Sequence, residues 1–226
     1  MMTAFQKACA AVALMAVAGV AFAEVTTGYP ASPAEALERL KAGNVRFVEG
    51  ETLDHDYLAG VKATAGGQKP FAAIVSCLDS RVPPEIVFDQ GIGDVFVGRI
   101  AGNFVDTEML GSLEFATGVV GAQLIVVLGH TDCGAVKGAC DGVQLDNLTT
   151  TLSNLSPAVY AVPGFENART SKNGEFVNAV THTNVDLNVK SITDRSRLIA
   201  DLVEQGKVRI VGAVYDVSTG KVTFRE

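Results

Sequence analysis

The chain has 226 residues, a formal net charge of −7 and an apolar fraction of 48%. This length suits one domain with a sizeable hydrophobic core. Because phosphate binding depends on clusters of Lys and Arg, and the sequence contains no such cluster, we expect neither nucleic acid nor an anionic membrane surface as a partner.

The first 23 residues have the pattern of a secretory signal peptide. Lys7 supplies a positive n-region, residues 8–20 form an apolar run, and Ala21-Phe22-Ala23 is a small-residue cleavage site. We therefore expect cleavage after Ala23, a periplasmic location and a mature domain of residues 24–226. A retained anchor helix is the alternative, but the run is short for a bilayer. No later stretch is long and apolar enough to span one, so we expect no stable membrane association after cleavage.

The mature chain keeps three cysteines, Cys77, Cys133 and Cys140, which is an odd number for an oxidising compartment. A small domain held together by disulfides carries more cysteines in a shorter chain. A metal site plus one spare thiol is the better interpretation, since thiolates committed as metal ligands are protected by the metal.

The N-terminal half of the chain alternates helix and strand signals. Ser32-Pro33-Ala34-Glu35 is a capping box with proline at the first helical position, and it predicts a helix that ends near Gly50. Residues 51–69 predict a loop or a broken helix. The apolar run 71–77 predicts a strand buried on both faces, and Pro83-Pro84 predicts a short helix.

The same alternation continues to the C-terminus. The predicted elements are a strand over 94–100, a helix over 106–121, a buried strand over 124–128, a helix from near Cys133, helix and loop over 145–175, a long polar helix over 176–204 ending at Gly206, a strand over 208–217 and a short strand over 222–224.

This pattern predicts the α/β class: a mostly parallel β-sheet flanked by helices, with an antiparallel C-terminal strand and an N-terminal helical arm. In such sheets, functional sites form at the carboxyl ends of the strands. Cys77 ends one buried strand, and His130 and Cys133 lie just beyond another. We therefore expect these three side chains at one edge of the sheet.

Two short segments carry the chemistry: Cys77-Leu78-Asp79-Ser80-Arg81 and His130-Thr131-Asp132-Cys133-Gly134. Two sulfurs and one imidazole suit tetrahedral zinc, and three protein ligands leave a fourth position open, as in catalytic zinc sites. On spacing alone, a Cys77–Cys133 disulfide or inert thiols remain alternatives.

Asp79 is placed to accept a hydrogen bond at such a site. Arg81 falls on the same side of an extended segment and can bind the Asp79 carboxylate bidentately. A purely structural ion pair is the alternative interpretation of these two residues.

The segment CLDSRVPPEIVFDQGIGDVFVGRIAGN (77–103), followed by LGHTDCGAVKGA (128–139), resembles the β-class carbonic anhydrases. LKAGNVRFV (40–48) and GAVYDVSTGKV (212–222) extend the resemblance in matching order. The resemblance implies one Zn²⁺ per chain with Cys77, His130 and Cys133 as ligands, and Asp79 and Arg81 as a catalytic dyad. The positions that it implies for binding CO2 and bicarbonate are Gln68, Phe96, Ala101, Phe115 and Gly134. At Phe115 the family commonly has tyrosine, and at Leu78 it usually has serine.

The activity implied by the resemblance is the reversible hydration of CO2 to bicarbonate and a proton. It also implies a homodimer or tetramer in which residues 33–48 embrace the partner, and two positions for Asp79, on the metal or paired with Arg81. The alternatives are hydrolysis of COS or CS2 on the same scaffold and a catalytically silent zinc-binding protein, which the intact Asp79–Arg81 pair disfavours. The absence of a C-x-x-C motif disfavours a thiol redox protein.

Overall fold

The computed structural model describes residues 28–225, so the predicted signal peptide and its cleavage site after Ala23 lie outside the described residues. The strands are β1 (Ala72–Ser76), β2 (Val95–Arg99), β3 (Leu124–His130), β4 (Arg209–Tyr215) and β5 (Val222–Arg225). They form one sheet in the order β2-β1-β3-β4-β5. The first four strands are parallel, and β5 runs antiparallel to β4. The predicted α/β class is confirmed.

Helices cover both faces of this sheet. They are α1 (Pro33–Glu49), α2 (Tyr57–Thr64), α3 (Pro84–Val87), α4 (Thr107–Glu114) followed by a π-helical segment (Phe115–Val120), α5 (Gly134–Cys140), α6 (Asp146–Ser153), α7 (Ser156–Ala161), α8 (Gly174–Arg195) and α9 (Arg197–Glu204). Within residues 28–225, no helix has both the length and the apolarity needed to cross a bilayer.

Helix α1 begins and ends as its sequence predicts. The Ser32 hydroxyl accepts a hydrogen bond from the Glu35 N–H (3.2 Å), and the Glu35 carboxylate accepts one from the Ala31 N–H (2.8 Å). The helix ends at Gly50, whose φ of +73° suits a residue without a Cβ. Leu37 is buried against the sheet, which anchors this predicted arm to the core.

The hydrophobic core lies on both sides of β1 and β3. Ala72 and Ile74 face a cluster with residues of α1 and α3, whereas Ala73 and Val75 face residues of α4, α8 and α9. Every residue of β1 and β3 is buried. The continuous apolar runs in the sequence therefore reflect strands that are covered on both faces.

The prediction of one long helix over 176–204 is wrong. Ser196 adopts an extended conformation (φ −118°, ψ 105°) and separates α8 from α9. Its hydroxyl accepts a hydrogen bond from the Ile199 N–H (3.3 Å) and donates one to Glu114 (2.6 Å). The serine thus caps the second helix, and the change of direction lets Ile199 enter the core.

The helix predicted over 106–121 differs from the prediction in its second half, which widens into the π-helical segment from Phe115 onward. The stretch 51–69, predicted as a loop or a broken helix, contains the short helix α2 and agrees with the second of these alternatives. None of the α2 side chains is buried, which is why this stretch has no clear apolar periodicity.

Candidate metal centre

The carboxyl edge of the sheet brings the three predicted ligands together. Cys77 directly follows β1, His130 is the last residue of β3, and Cys133 is the N-cap of α5. The Sγ atoms of Cys77 and Cys133 are 3.9 Å apart, and the ligating atoms of all three residues lie within 4.8 Å of one another. Each of the three residues is at most 4% exposed.

The His130 imidazole is oriented for a ligand role. Its Nδ1 lies 2.9 Å from the carbonyl oxygen of Thr131, an acceptor that places the ring proton on Nδ1. The Nε2 atom then carries a lone pair that can bind a metal. It is buried and has no hydrogen-bond partner among the residues that the structure describes. Such orphaned polar atoms are rare in protein interiors, and a metal cation at this position would satisfy the atom.

The two thiols fit a shared cation rather than a disulfide. Both cysteines are free, with Sγ atoms 3.9 Å apart, whereas a disulfide bond measures about 2.05 Å. Tetrahedral zinc with Zn–S bonds of about 2.3 Å requires an Sγ–Sγ separation of about 3.8 Å. The donor set and its spacing therefore fit zinc.

The pKa values of the two thiols are shifted in opposite directions. The hydrogen bond from the Cys133 thiol lowers the pKa of Cys77, and His130 and the Gly102 N–H lower it further against the opposing effect of burial. The neighbouring Cys77 sulfur raises the pKa of Cys133, and burial adds to this effect. The pocket thus stabilises one thiolate and requires a positive charge before it holds two.

Asp79 lies at the mouth of this site and is bound by Arg81. The Nε and Nη2 atoms of Arg81 donate to the two carboxylate oxygens at 2.9 and 2.8 Å, and the Arg81 backbone N–H donates at 2.9 Å. These hydrogen bonds hold the pKa of Asp79 well below its usual range. Asp79 Oδ2 is 3.9 Å from His130 Nε2, so the carboxylate is close to the position that a metal would occupy.

Arg81 is itself shared between two acidic residues. Its Nη1 lies 3.4 Å from a carboxylate oxygen of Asp132, which also forms an ion pair with Lys137. The two segments that contain the predicted metal ligands are thereby joined through charged side chains as well as through the sheet.

The family model of the carbonic anhydrases matches residues 72–222. The chain is 37% identical over 204 residues to carbonic anhydrase 2 of Mycobacterium tuberculosis, and the match covers 86% of this chain and 94% of that protein. A tetrameric β-carbonic anhydrase of Sordaria macrospora superposes with a TM-score of 0.61 at 26% identity, covering 71% of this chain and 82% of that one. A β-carbonic anhydrase of Aspergillus fumigatus superposes with a TM-score of 0.65 at 24% identity, covering 85% and 90%.

The chain belongs to the β-carbonic anhydrase family. The Cys77, His130 and Cys133 cluster is therefore the candidate metal centre of a carbonic anhydrase, and the family resemblance inferred from the motifs is confirmed.

The pocket positions predicted for this carbonic anhydrase separate into two groups. Ala101 and Gly134 lie beside the candidate centre. Ala101 precedes Gly102, which donates to Cys77, and Gly134 follows the predicted ligand Cys133. Phe96 pairs with Ala73 in the sheet, and Ala73 is four residues before Cys77. At 3.3 Å per residue, Phe96 therefore lies about 13 Å from the carboxyl edge of the sheet.

Gln68 and Phe115 also lie away from the centre within one chain. Gln68 is exposed on the loop before β1. Phe115 is 48% exposed, and its ring contacts that of Phe96 edge-on at a centroid distance of 6.2 Å. The two phenylalanines line an open cleft of about 760 Å³ along the edge strand β2.

Sequence reasoning missed the residues that support the ligand loops of this carbonic anhydrase. Gly102 donates its N–H to Cys77 Sγ (3.3 Å) at a φ of +90°, and a Cβ there would also lie 2.8 Å from the Leu155 side chain. Asn184 Nδ2 donates to the Gly102 carbonyl (2.9 Å), and Asn188 accepts from the Val105 N–H (2.8 Å). Two buried asparagines one turn apart in α8 were the available sequence signal.

Arg99 is the other residue that was missed. Its guanidinium donates to the carbonyl oxygens of Cys77 (3.0 Å), Leu78 (3.2 Å) and Asp79 (2.5 Å). An arginine at the end of a strand has no pattern that predicts such a contact.

Proposed function

We propose that the protein catalyses the reversible hydration of CO2 to bicarbonate and a proton, with one Zn²⁺ per chain held by Cys77, His130 and Cys133. The observation that carries the proposal is the buried Nε2 of His130, which faces the thiols of Cys77 and Cys133 and has no hydrogen-bond partner within residues 28–225. Membership of the carbonic anhydrase family supports it.

Zinc bound at this centre would supply the acidity that lets a water molecule lose its proton near neutral pH. The protein's own contribution is orientation. Arg81 keeps Asp79 ionised and fixes both of its oxygens, so this carboxylate can accept one hydrogen bond in a constant direction. The burial of Cys77 and Cys133 excludes other solvent from the ligand side.

We further propose that the functional unit is a homo-oligomer. Phe96 and Phe115 are too far from the centre of their own chain to serve it, but they lie in an apolar cleft on the edge strand β2. A second copy docked on this cleft would cover it and bring Gln68, Phe96 and Phe115 toward the partner's centre. The Sordaria macrospora relative is described as tetrameric, which supports assembly.

The test of the proposed function is zinc content measured alongside CO2 hydration, with COS and CS2 as competing substrates. We expect about one zinc per chain, as for a three-ligand catalytic site, and CO2 as the preferred substrate. Zinc-replete protein that prefers COS or CS2 would identify a COS or CS2 hydrolase. Zinc-replete protein that is inactive on all three substrates would identify a silent binding protein.

We also propose periplasmic export with cleavage after Ala23, as the signal pattern of residues 1–23 predicts. N-terminal sequencing of the protein secreted into the periplasm should begin at Glu24. A soluble product that begins at Met1 or Met2 would overturn this proposal.

A further inference from the structure

Arg99 binds three consecutive peptide carbonyls, those of Cys77, Leu78 and Asp79. In an extended strand, successive carbonyls point in alternate directions, so three of them reach one guanidinium only where the chain turns around it. The Asp79 carbonyl also accepts the Val82 N–H (3.0 Å), which closes this turn. Arg99 therefore fixes the peptide planes from which the Asp79 side chain projects.

The Asp79 side chain has two possible partners. Its Oδ2 atom accepts a hydrogen bond from Arg81 Nη2 at 2.8 Å, and the same atom lies 3.9 Å from His130 Nε2. Two ligands of one tetrahedral zinc are separated by about 3.3 Å when their bonds are about 2.0 Å long. A small rotation of the Asp79 peptide would therefore bring the carboxylate to the open fourth position of a metal at this centre.

Arg81 opposes that movement at the carboxylate, where its guanidinium and its backbone N–H bind the two oxygens of Asp79. The Arg81 side chain is 46% exposed and also interacts with Asp132. Arg99 acts at the backbone, because it holds the peptide carbonyls of the loop from which the Asp79 side chain projects. The two arginines therefore restrain different parts of Asp79.

We propose that Arg99 is a positioning residue that keeps Asp79 paired with Arg81 and so leaves the fourth metal position free. The proposal deepens the proposed function, because it assumes a metal on Cys77, His130 and Cys133. It does not depend on which substrate is hydrated.

The chain contains a matched control for Arg99. Arg169 also donates to three carbonyl oxygens, those of Val159, Val162 and Gly164, and its guanidinium lies over the Phe176 ring at 4.7 Å. None of these residues belongs to the metal centre. Arg169→Gln therefore removes the same kind of contact without touching the Asp79 loop.

The experiment uses protein in which cobalt replaces zinc, and measures azide binding from the cobalt absorption spectrum at constant pH. Azide binds only where the fourth position is free. If Asp79 occupies that position in about 90% of Arg99→Gln molecules, the apparent Kd for azide rises about tenfold. We expect this rise in Arg99→Gln, a smaller rise in Arg99→Lys and none in Arg169→Gln.

Removal of the competing Asp79 carboxylate distinguishes two roles of Arg99: positioning of Asp79 and stabilisation of the whole metal site. The double variant Arg99→Gln/Asp79→Ala should bind azide as tightly as Asp79→Ala alone. An unchanged azide Kd in Arg99→Gln would overturn the proposal, and so would weak binding that persists in the double variant or loss of cobalt from Arg99→Gln. A protein that binds cobalt and azide but does not hydrate CO2 would instead contradict the proposed function.

Discussion

Cys133 and Cys140 lie at the two ends of helix α5 and have different surroundings. Cys133 is buried beside Cys77 and His130, whereas Cys140 lies outside the cluster, and burial raises the pKa of its thiol to about 11. We predict that Cys133→Ser loses most of its zinc, because a hydroxyl does not replace a thiolate ligand. Cys140→Ser is the matched control and should keep its full zinc content in the same metal analysis.

Two results of the metal analysis would contradict this prediction. Full zinc occupancy in both Cys77→Ser and Cys133→Ser would show that the cluster is not the metal centre. Zinc loss in Cys140→Ser comparable to that in Cys133→Ser would point to unfolding of α5 rather than to loss of a ligand.

Arg81 supplies three hydrogen bonds to the Asp79 carboxylate. The substitution Arg81→Ala removes the two hydrogen bonds that the guanidinium donates. The Asp79 carboxylate can then turn to the metal. We predict that this variant keeps its zinc but loses at least about tenfold in CO2 hydration rate, since orientation and acid–base contributions are worth about 10²–10⁴. Rates should be measured across pH, and in the wild-type enzyme we expect activity to rise from neutral to alkaline pH.

The control for Arg81 is Arg197→Ala, because the Arg197 side chain is 93% exposed and its contact with Asp201 is long, at 3.9 Å. Near-normal rates in Arg81→Ala and Asp79→Ala would contradict the proposed role. Zinc loss in step with activity would mean that the pair only braces the loop after β1.

Between elements, Asp89 joins α1 to the segment that precedes β2. Its side chain is 1% exposed and lies 2.5 Å from Arg46 Nε and 2.9 Å from His55 Nε2. It also accepts the Leu53 N–H at 3.2 Å. Burial raises the pKa of Asp89, but the contacts with Arg46, His55 and Leu53 outweigh it and hold this pKa below its usual value.

A depressed carboxyl pKa stabilises the fold at pH values above the unfolded pKa, and this contribution is lost as pH falls through the folded value. We predict that Asp89→Asn lowers the free energy of unfolding at pH 7 by about 3–5 kcal/mol, the typical cost of breaking a buried ion pair. Its unfolding free energy should also fall less steeply than that of the wild type below about pH 4.

Denaturant titrations at several pH values test this prediction. Asp194→Asn is the control, since Asp194 pairs with Lys190 on the exposed surface of α8 and should change stability by less than about 0.5 kcal/mol. An Asp89→Asn variant as stable as the wild type at pH 7, with the same acid dependence, would show that the junction contributes nothing.

At the scale of the whole molecule, the open cleft on β2 is the expected docking surface for a second copy. Phe115 is 48% exposed in this cleft. We predict that Phe115→Arg shifts sedimentation to a smaller species and lowers CO2 hydration, because a buried unpaired charge opposes association. Tyr160→Arg is the control, since Tyr160 is 82% exposed outside the cleft.

A wild-type protein that sediments as a compact, fully active monomer would contradict this prediction. A Phe115→Arg variant that remains assembled and active would show that another face forms the interface.

Several features of the protein followed from the sequence because they depend on local chemistry. The capping box at Ser32 and the glycine at position 50 defined helix α1 within a residue at each end. The apolar runs of β1 and β3 predicted strands covered on both faces, and parallel topology then placed Cys77 and His130 at one edge. Two sulfurs and one imidazole suited zinc, but a disulfide or inert thiols stayed open on spacing alone, and the family resemblance supplied the ligand assignment.

Other features were decided only by tertiary structure, because they join residues that are far apart in the chain. Arg99 reaches the Cys77 loop only because β2 lies beside β1, and no periodic pattern encodes that contact. Phe96 belongs by resemblance to the pocket, yet the sheet register places it four residues from the carboxyl edge. The residue types and strand order thus determined which side chains meet at the candidate centre, whereas register and helix packing decided which side chains surround it.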